Sequence, residues 1–295
     1  MIDTQTHIDT IISLTDDSFD VNNISDYELF IELGPEHLRL CVIDTKNTAC
    51  ICLEDYSFSS LMSEVPLLDS LTELYKQHSF LNQDRWKEIT ILFNTPVFTL
   101  IPDDLFRKEY MANYLKLVRG KEIDDINQIL TSTVGNIGAK NVFAIKKDLW
   151  EWLLNIYSFH TPHIKHQIDS VIDITFTQSK TSEKPVAVGL HFEGTTMTVA
   201  IVKENQLQLC NKFSFKVASD MVYYVLFILK NLNIEVGDAD VKLYGEVTLY
   251  SDRYELLAKF MPHISFGRLP TNIIFSDVFS DIPEHRYSNL LNTQE

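Results

Sequence analysis

Short apolar runs of strand length alternate along this chain with longer segments whose apolar residues recur every three or four positions. Strands and helices are therefore interleaved, the pattern of an α/β protein. Residues 1–25 are polar and weakly periodic and predict a loose arm or an added edge element. The first strong signal begins at Tyr27: Glu28–Leu33 and His37–Ile43 read as strands on either side of a Gly34-Pro35-Glu36 turn. Asp44-Thr45-Lys46-Asn47 then turns the chain into a third extended run, Thr48–Leu53. Strands joined by such tight turns predict an antiparallel meander.

A helix over 67–78 follows, with Leu67, Leu68, Leu71, Leu74 and Tyr75 on one face. Next come a buried strand at 88–93 and an extended piece at 97–101. Pro102-Asp103-Asp104 predicts the start of a helix that stops near Gly120. A strand at 141–145, an amphipathic helix at 147–157 and an extended element at 163–167 complete the first half, and polar residues 178–185 read as a linker. After it the order starts again: strands at 186–190, 197–202 and 207–215, a helix at 219–232, a strand at 241–244, a turn at Gly245, a helix at 251–260 and a strand at 263–266. A constant shift of 159 lays Leu33 on Phe192, Leu40 on Val199, Val42 on Ile201 and Ile43 on Val202. Meander, helix, strand, helix, strand is written twice, which predicts a duplicated unit. The expected organisation is an arm at 1–25, a first domain at 26–177, a linker at 178–185 and a second domain at 186–295. Within the second domain, Met221–Leu229 is apolar nearly all round and predicts a helix buried between layers, with a docking surface as the other reading.

Composition narrows the chemistry. The chain has 295 residues, with 25 Lys and Arg against 41 Asp and Glu, a formal net charge of −16. That balance, with no basic cluster, argues against a nucleic-acid or anionic-membrane partner. No Lys or Arg occurs in the first twenty residues, so no signal peptide is expected, and no apolar run approaches the roughly 20 residues needed to span a bilayer. Cys41, Cys50, Cys52 and Cys210 sit in strand-like apolar segments and read as reduced, buried thiols of a cytoplasmic protein. None has the spacing of a zinc site. His160, His163 and His166 form the most metal-like cluster, but Pro162 interrupts any shared helix, and in an extended segment His163 and His166 face oppositely. No metal site is therefore expected. The sequence has no Walker loop, Gly-x-Ser-x-Gly elbow, Cys-x-x-Cys or His-Glu-x-x-His.

Antiparallel strands extended by parallel strands with crossover helices, present twice, resemble two tandem ribonuclease H-like domains with mixed sheets, the actin-like ATPase fold. Leu100-Ile101-Pro102-Asp103-Asp104-Leu105 and Val142-Phe143-Ala144-Ile145-Lys146-Lys147, each leading into a helix, and the short loops of the second meander resemble the bacterial proteins of type IV pilus assembly and cell division. The chain is most similar to a family of uncharacterised Bacteroidetes proteins of this fold.

The resemblance implies that the first turn of each meander meets nucleotide phosphates. There a strand-ending carboxylate holds hydrated magnesium, and a glycine lets backbone N–H groups approach the phosphates. In the first turn, Glu32 and Gly34 occupy those positions, with Glu32 a weak candidate for positioning magnesium or water that otherwise reads as a solvated strand end. Pro35 has no N–H to offer, and Glu36 brings negative charge. In the second turn, Gly194-Thr195-Thr196 resembles the phosphate loop of the family, while His191 replaces the expected Asp and Glu193 stands where a glycine is expected. The adenosine motif is reduced to Tyr244-Gly245-Glu246. With all three loops half-kept, the expected function is an interaction or scaffold module with a degenerate nucleotide site and another protein as partner. The alternative is an atypical ATP-binding protein or slow ATPase with nucleotide-driven domain closure, using ATP and magnesium through Glu32, Gly34, Gly194, Thr195, Thr196 and Gly245.

Overall fold

The computed structural model describes residues 7–59, 67–261 and 263–292. Strands β1 (His7–Thr15), β2 (Tyr27–Leu33), β3 (His37–Asp44) and β4 (Ala49–Ser59) lead to helix α1 (Leu67–Gln77). Then come β5 (Glu88–Phe93), β6 (Phe98–Pro102), α2 (Met111–Arg119), β7 (Asn127–Val134), β8 (Ala139–Lys146), α3 (Lys147–Ile156), β9 (His163–His166) and α4 (Gln167–Thr181). The remainder comprises β10 (Val186–Glu193), β11 (Thr196–Lys203), β12 (Gln206–Ser214), α5 (Ala218–Asn231), β13 (Ala239–Gly245), α6 (Asp252–Phe260), β14 (Ile264–Phe266), β15 (Ile274–Phe275) and α7 (Glu284–Leu291). These elements form two compact units. The first takes Met1–Thr133, Lys140–Gln167 and Thr271–Ile282, and the second Val134–Ala139, Ile168–Pro270 and Pro283–Glu295.

In the first unit a sheet runs in the order β1-β4-β3-β2-β5-β9, and β15 joins the start of β4. Strands β1, β4, β3 and β2 pair antiparallel, whereas β2, β5 and β9 pair parallel. Both faces of β3 are buried, so its apolar residues run almost without alternation and Arg39 is carried into the interior among them. A second, three-stranded sheet has the order β6-β8-β7. Helices α1 and α3 are tied by the Tyr75 and Tyr157 hydroxyls at 2.9 Å, and both side chains are buried.

In the second unit one sheet runs β12-β11-β10-β13-β14. Strands β12, β11 and β10 are antiparallel, while β10, β13 and β14 are parallel. Its core gathers Val188, Leu190, Val199 and Ile201 from the sheet with Met221, Val225 and Leu229 from α5. At the start of α5, Asp220 Oδ2 accepts the Val217 N–H at 3.2 Å. That contact satisfies one of the donors a helix start leaves open. Among the described residues no helix is long and apolar enough to cross a membrane.

Part of the N-terminal arm is the added edge element, strand β1, paired with β4. Other segments differ from the expectation. Pro102 does not open a helix: it ends β6, its carbonyl accepts the Leu105 and Phe106 N–H groups in a turn, and α2 starts only at Met111. The expected stop holds, because Gly120 takes φ 72° and donates to Lys116 O at 2.8 Å. Residues 178–181, expected in a linker, are the last turn of α4. The α5 helix buries Met221, Val222, Val225, Ile228 and Leu229 but exposes Tyr223 and Phe227, whose rings stack 5.7 Å apart.

Candidate functional site

The first turn links β2 to β3. Leu33 pairs with Leu38, and Gly34 N–H donates to His37 O at 3.1 Å, while Pro35 and Glu36 are exposed at its tip. Glu32 pairs across the strands with Arg39, and Arg39 with Asp55 of β4. Direct cross-strand partners share a sheet face, so the register alone builds a row of carboxylate, guanidinium and carboxylate. All three are at most 1% exposed. Arg39 Nη1 stands 3.4 Å from Glu32 Oε2, and Arg39 Nε stands 3.4 Å from Asp55 Oδ2. The other oxygen of Glu32, Oε1, accepts from Gln167 Nε2 at 3.0 Å. Glu32 is thus a buried member of a polar network, and each of its oxygens already faces a donor of its own unit. The solvated strand end read from the sequence is corrected: the Glu32 side chain is buried, with Arg39 and Gln167 against its carboxylate.

Gly34 keeps the backbone close to a neighbour, but the neighbour is the chain itself. A Cβ at this position would lie 2.0 Å from His37 Cε1 and 2.4 Å from Nδ1. The buried His37 ring therefore fills the approach that the glycine opens. Gly34→Ala should destabilise the protein by about 1–3 kcal/mol, the usual range for overpacking. In a His37→Ala background the same change should cost roughly 0.5 kcal/mol or less, since the obstructing ring is gone. Equal costs in the two backgrounds, read from urea unfolding, would show that the ring is not what the glycine accommodates.

The second turn links β10 to β11, with Glu193 paired to Thr196 and Gly194 at φ 48°. Thr196 Oγ1 donates to Glu193 O at 2.9 Å, so its hydroxyl proton is used within the turn. Thr195 is exposed. Parallel pairing sets Phe192 beside Gly245, which brings the second turn and the Tyr244-Gly245-Glu246 motif together. Gly245 sits at φ 76°, and a Cβ there would be 2.2 Å from Phe192 O and 3.0 Å from His191 Nε2. Phe192 O also accepts the Glu246 N–H at 2.8 Å. His191, which takes the place of the expected Asp, is buried with its ring against Gly245.

This arrangement turns Glu246 back onto the turn. Its Oε2 accepts the Gly194 N–H at 2.9 Å, and its Oε1 lies 3.8 Å from Arg286 Nη2. Arg253 donates to Gly194 O at 2.6 Å and to Glu246 O at 3.2 Å, bracing both segments. A backbone N–H at a left-handed glycine, flanked by arginines, is suited to hold an anion. Here it holds a side-chain carboxylate of the same unit. Glu246, Arg253 and Arg286 were not singled out by the sequence as converging groups. The proximity of Glu246 to the expected Gly245 was the only local signal.

The histidine cluster is dispersed. His160 and His163 are exposed, whereas His166 is buried between Phe98 and Phe143, with ring centroids 5.1 and 5.0 Å away. Its Nε2 lies 3.1 Å from Thr95 O.

The fold is similar to that of a Bacteroides thetaiotaomicron VPI-5482 protein described as having an actin-like ATPase fold and unknown function. The TM-score is 0.74 at 18% identity, covering 94% of this chain and 99% of that one. It is also similar to a chain of the PilM–PilN type IV pilus biogenesis complex, with a TM-score of 0.61 at 10% identity, covering 90% of this chain and 96% of that one. At such identities the likeness is one of fold, and it gives this chain the actin-like ATPase architecture. No curated protein matches the sequence. A family model described as "Protein of unknown function (DUF3822)" matches residues 16–264.

Proposed function

The chain belongs to the DUF3822 family, and from that premise we propose that it is an interaction or scaffold module of actin-like ATPase fold that works without nucleotide. The observation that carries this reading is the Gly194 N–H, which donates to Glu246 and so is engaged before any phosphate arrives. Glu32 supports it, because a carboxylate held by Arg39 and Gln167 in a buried network is poorly placed to carry hydrated magnesium. Gly34 and Gly245 support it too, since each close-approach position is taken by the chain's own His37 ring or Phe192 carbonyl.

A partner protein fits the same reading. A chain of similar fold is part of the PilM–PilN complex. In the first unit an open cavity of about 700 Å³ is lined by Leu67, Leu68, Ile126 and Leu149 together with charged residues of both signs, a size and mixture suited to receiving a ligand or peptide side chains. We also read the chain as a duplicated ribonuclease H-like domain, with sequence repeats at residues 26–177 and 186–295, although 168–177 fall in the second compact unit and 271–282 in the first. In support, β4-β3-β2-β5-β9 and β12-β11-β10-β13-β14 have the same order. Adding 159 to the bounds of β3 gives those of β11. The cysteines are free thiols, with the Cys41 and Cys50 sulfurs in hydrogen-bond contact at 3.4 Å, which suits a reducing, cytoplasmic setting.

Isothermal calorimetry with ATP and magnesium tests the reading. No binding heat is expected from the wild type. Micromolar binding that is abolished by Glu32→Ala or Thr195→Ala would overturn it in favour of an atypical ATP-binding protein.

A further inference from the structure

The two units finish the outer edges of their sheets differently. In the first, β4 takes β1 along Cys52–Ser59 and β15 at Ala49 and Cys50. In the second, β12 holds the same place beside β11 and ends the sheet: among the described residues no strand pairs with its outer side. The two strands match in detail. Pairing slips against β4 between Val42 and Ile43 and against β12 between Ile201 and Val202, positions that the shift of 159 superposes. The extra residues are Ile51 and Gln208, so Cys52, the first residue of β4 that β1 covers, corresponds to Leu209. The bulge does not shut the edge, since β4 carries it and still accepts β1.

The uncovered edge is an ordered ladder. Phe215 N–H donates to Thr195 O at 2.9 Å, and antiparallel pairing alternates. Leu209, Asn211 and Phe213 therefore turn their backbone groups toward β11, while Cys210, Lys212 and Ser214 turn theirs outward. The Lys212 N–H agrees with this: it donates to Asn211 Oδ1 at 2.9 Å, a local contact that a strand can replace. Beside the edge lies an aromatic shelf. Phe213 stacks on Tyr224 of α5 with centroids 5.3 Å apart, Tyr224 meets Tyr223 at 5.9 Å, and Tyr223 stacks on Phe227. Tyr223 and Phe227 are 61% and 52% exposed.

We propose that β12 is a docking edge for an extended segment of a partner protein, which adds antiparallel along Leu209–Ser214 as β1 adds to β4 and lays its alternate apolar side chains on Tyr223 and Phe227. In such strand addition the main-chain bonds give affinity, and the side chains that face the neighbouring shelf give specificity. Successive residues of a strand point to opposite faces, so every second residue of the segment meets the aromatics. Charge selects its flanks. Lys216, just beyond β12, and Lys230, three residues past Phe227, are exposed. Asp220, between them in sequence, is engaged by the N–H groups of Lys216 and Val217. Acidic flanks therefore suit the segment. A second copy of this chain suits the edge poorly, because each copy carries a net charge of −16 and the two repel at long range.

The inference names a surface for the interaction module proposed above and rests on that reading only in taking a protein as the partner. The probe is a phage-displayed library of random peptides of about twelve residues, long enough to cover a strand and its flanks, panned against the full chain. The enriched peptides should alternate apolar with polar residues between acidic ends. Lys212→Pro should weaken their binding at least about tenfold: it removes an outward N–H and puts a ring on the edge, yet leaves intact the ladder to β11, which uses the neighbouring residues. Phe227→Ser, at an exposed position, should weaken binding by roughly fivefold to tenfold, and it decides the matter if the proline variant does not fold. A synthetic peptide N-methylated at every second residue should lose binding in one register and keep it in the other, a difference that side-chain contacts alone do not produce. The proposal is overturned if no peptide is enriched, if the folded variants bind the peptides as well as the wild type, or if the two methylation registers behave alike. A wild-type dimer in sedimentation that Lys212→Pro dissociates would also overturn it, since the edge would then belong to a second copy. ATP binding by the wild type would sink the nucleotide-free reading and leave this edge standing; a failed panning would do the reverse.

Discussion

Arg39→Leu is expected to lower the unfolding free energy by about 3–5 kcal/mol at neutral pH, the cost typical of removing one partner from a buried ion network. The side chain is fully buried on β3, with Glu32 and Asp55 opposite it on β2 and β4. Leucine matches much of its apolar bulk, so the loss measures the charge more than the volume. Two carboxylates remain, and in the interior their charges repel and are poorly solvated. Glu32→Gln should cost less, since Arg39 keeps Asp55 and the amide can still accept from Gln167. Urea unfolding at neutral pH measures both. A change below about 1 kcal/mol for Arg39→Leu, the size of an exposed pair, would mean that the row of charges is solvated in a way its burial does not suggest.

Gly245→Ala should cost about 3 kcal/mol, combining roughly 1–2 kcal/mol for a non-glycine residue in the left-handed region with the overpacking of a Cβ against fixed backbone. Its Cβ would stand 2.2 Å from Phe192 O, the carbonyl that also accepts Glu246 N–H. The obstacle is backbone, which cannot rotate away as a side chain can. Gly194→Ala is the matched control. It has φ 48° but no atom within 4 Å of the new carbon, so it should cost only the conformational part, about 1–2 kcal/mol. Similar losses at the two glycines would remove the carbonyl contact as a reason for Gly245.

The difference between these glycines also marks what a sequence discloses. The turns could be read because a short apolar run broken by Gly-Pro-Glu or Glu-Gly-Thr has few alternatives, and β2, β3 and β11 fall within a residue of expectation, while β10 runs three residues beyond it. Helix α4 could not. Ile168, Val171, Ile172, Ile174 and Thr175 are all buried, so no polar face alternates with an apolar one, and their β-branching favours a strand reading. Helix α2 was overextended for the opposite reason. Pro102-Asp103-Asp104 is a sound helix-start signal that the end of β6 converts into a turn.

Within the candidate site, sequence reasoning reached the residues whose role is set by local backbone: Gly34, Gly194 and Gly245. It missed what they face. Gln167 lies 135 positions from Glu32, and Glu246 lies 52 positions from Gly194. Only folding brings such pairs together, and a glutamate or arginine on a helix or loop carries no mark that it will turn inward.

Strand β15 has a consequence for how the molecule is made. Ile274 and Phe275 pair with Ala49 and Cys50, and Ser276 Oγ donates to Asp16 at 2.5 Å. That bond lowers the Asp16 pKa. A ribosome builds the chain from its amino end, so the beginning of β4 must wait for more than two hundred further residues before this neighbour is synthesised. Until then that stretch of sheet edge has unpaired backbone groups, the kind of surface that invites association with other chains. The same order of events makes the first unit impossible to isolate by a single cut: any fragment that stops before residue 271 lacks a part of the very sheet with which the chain begins.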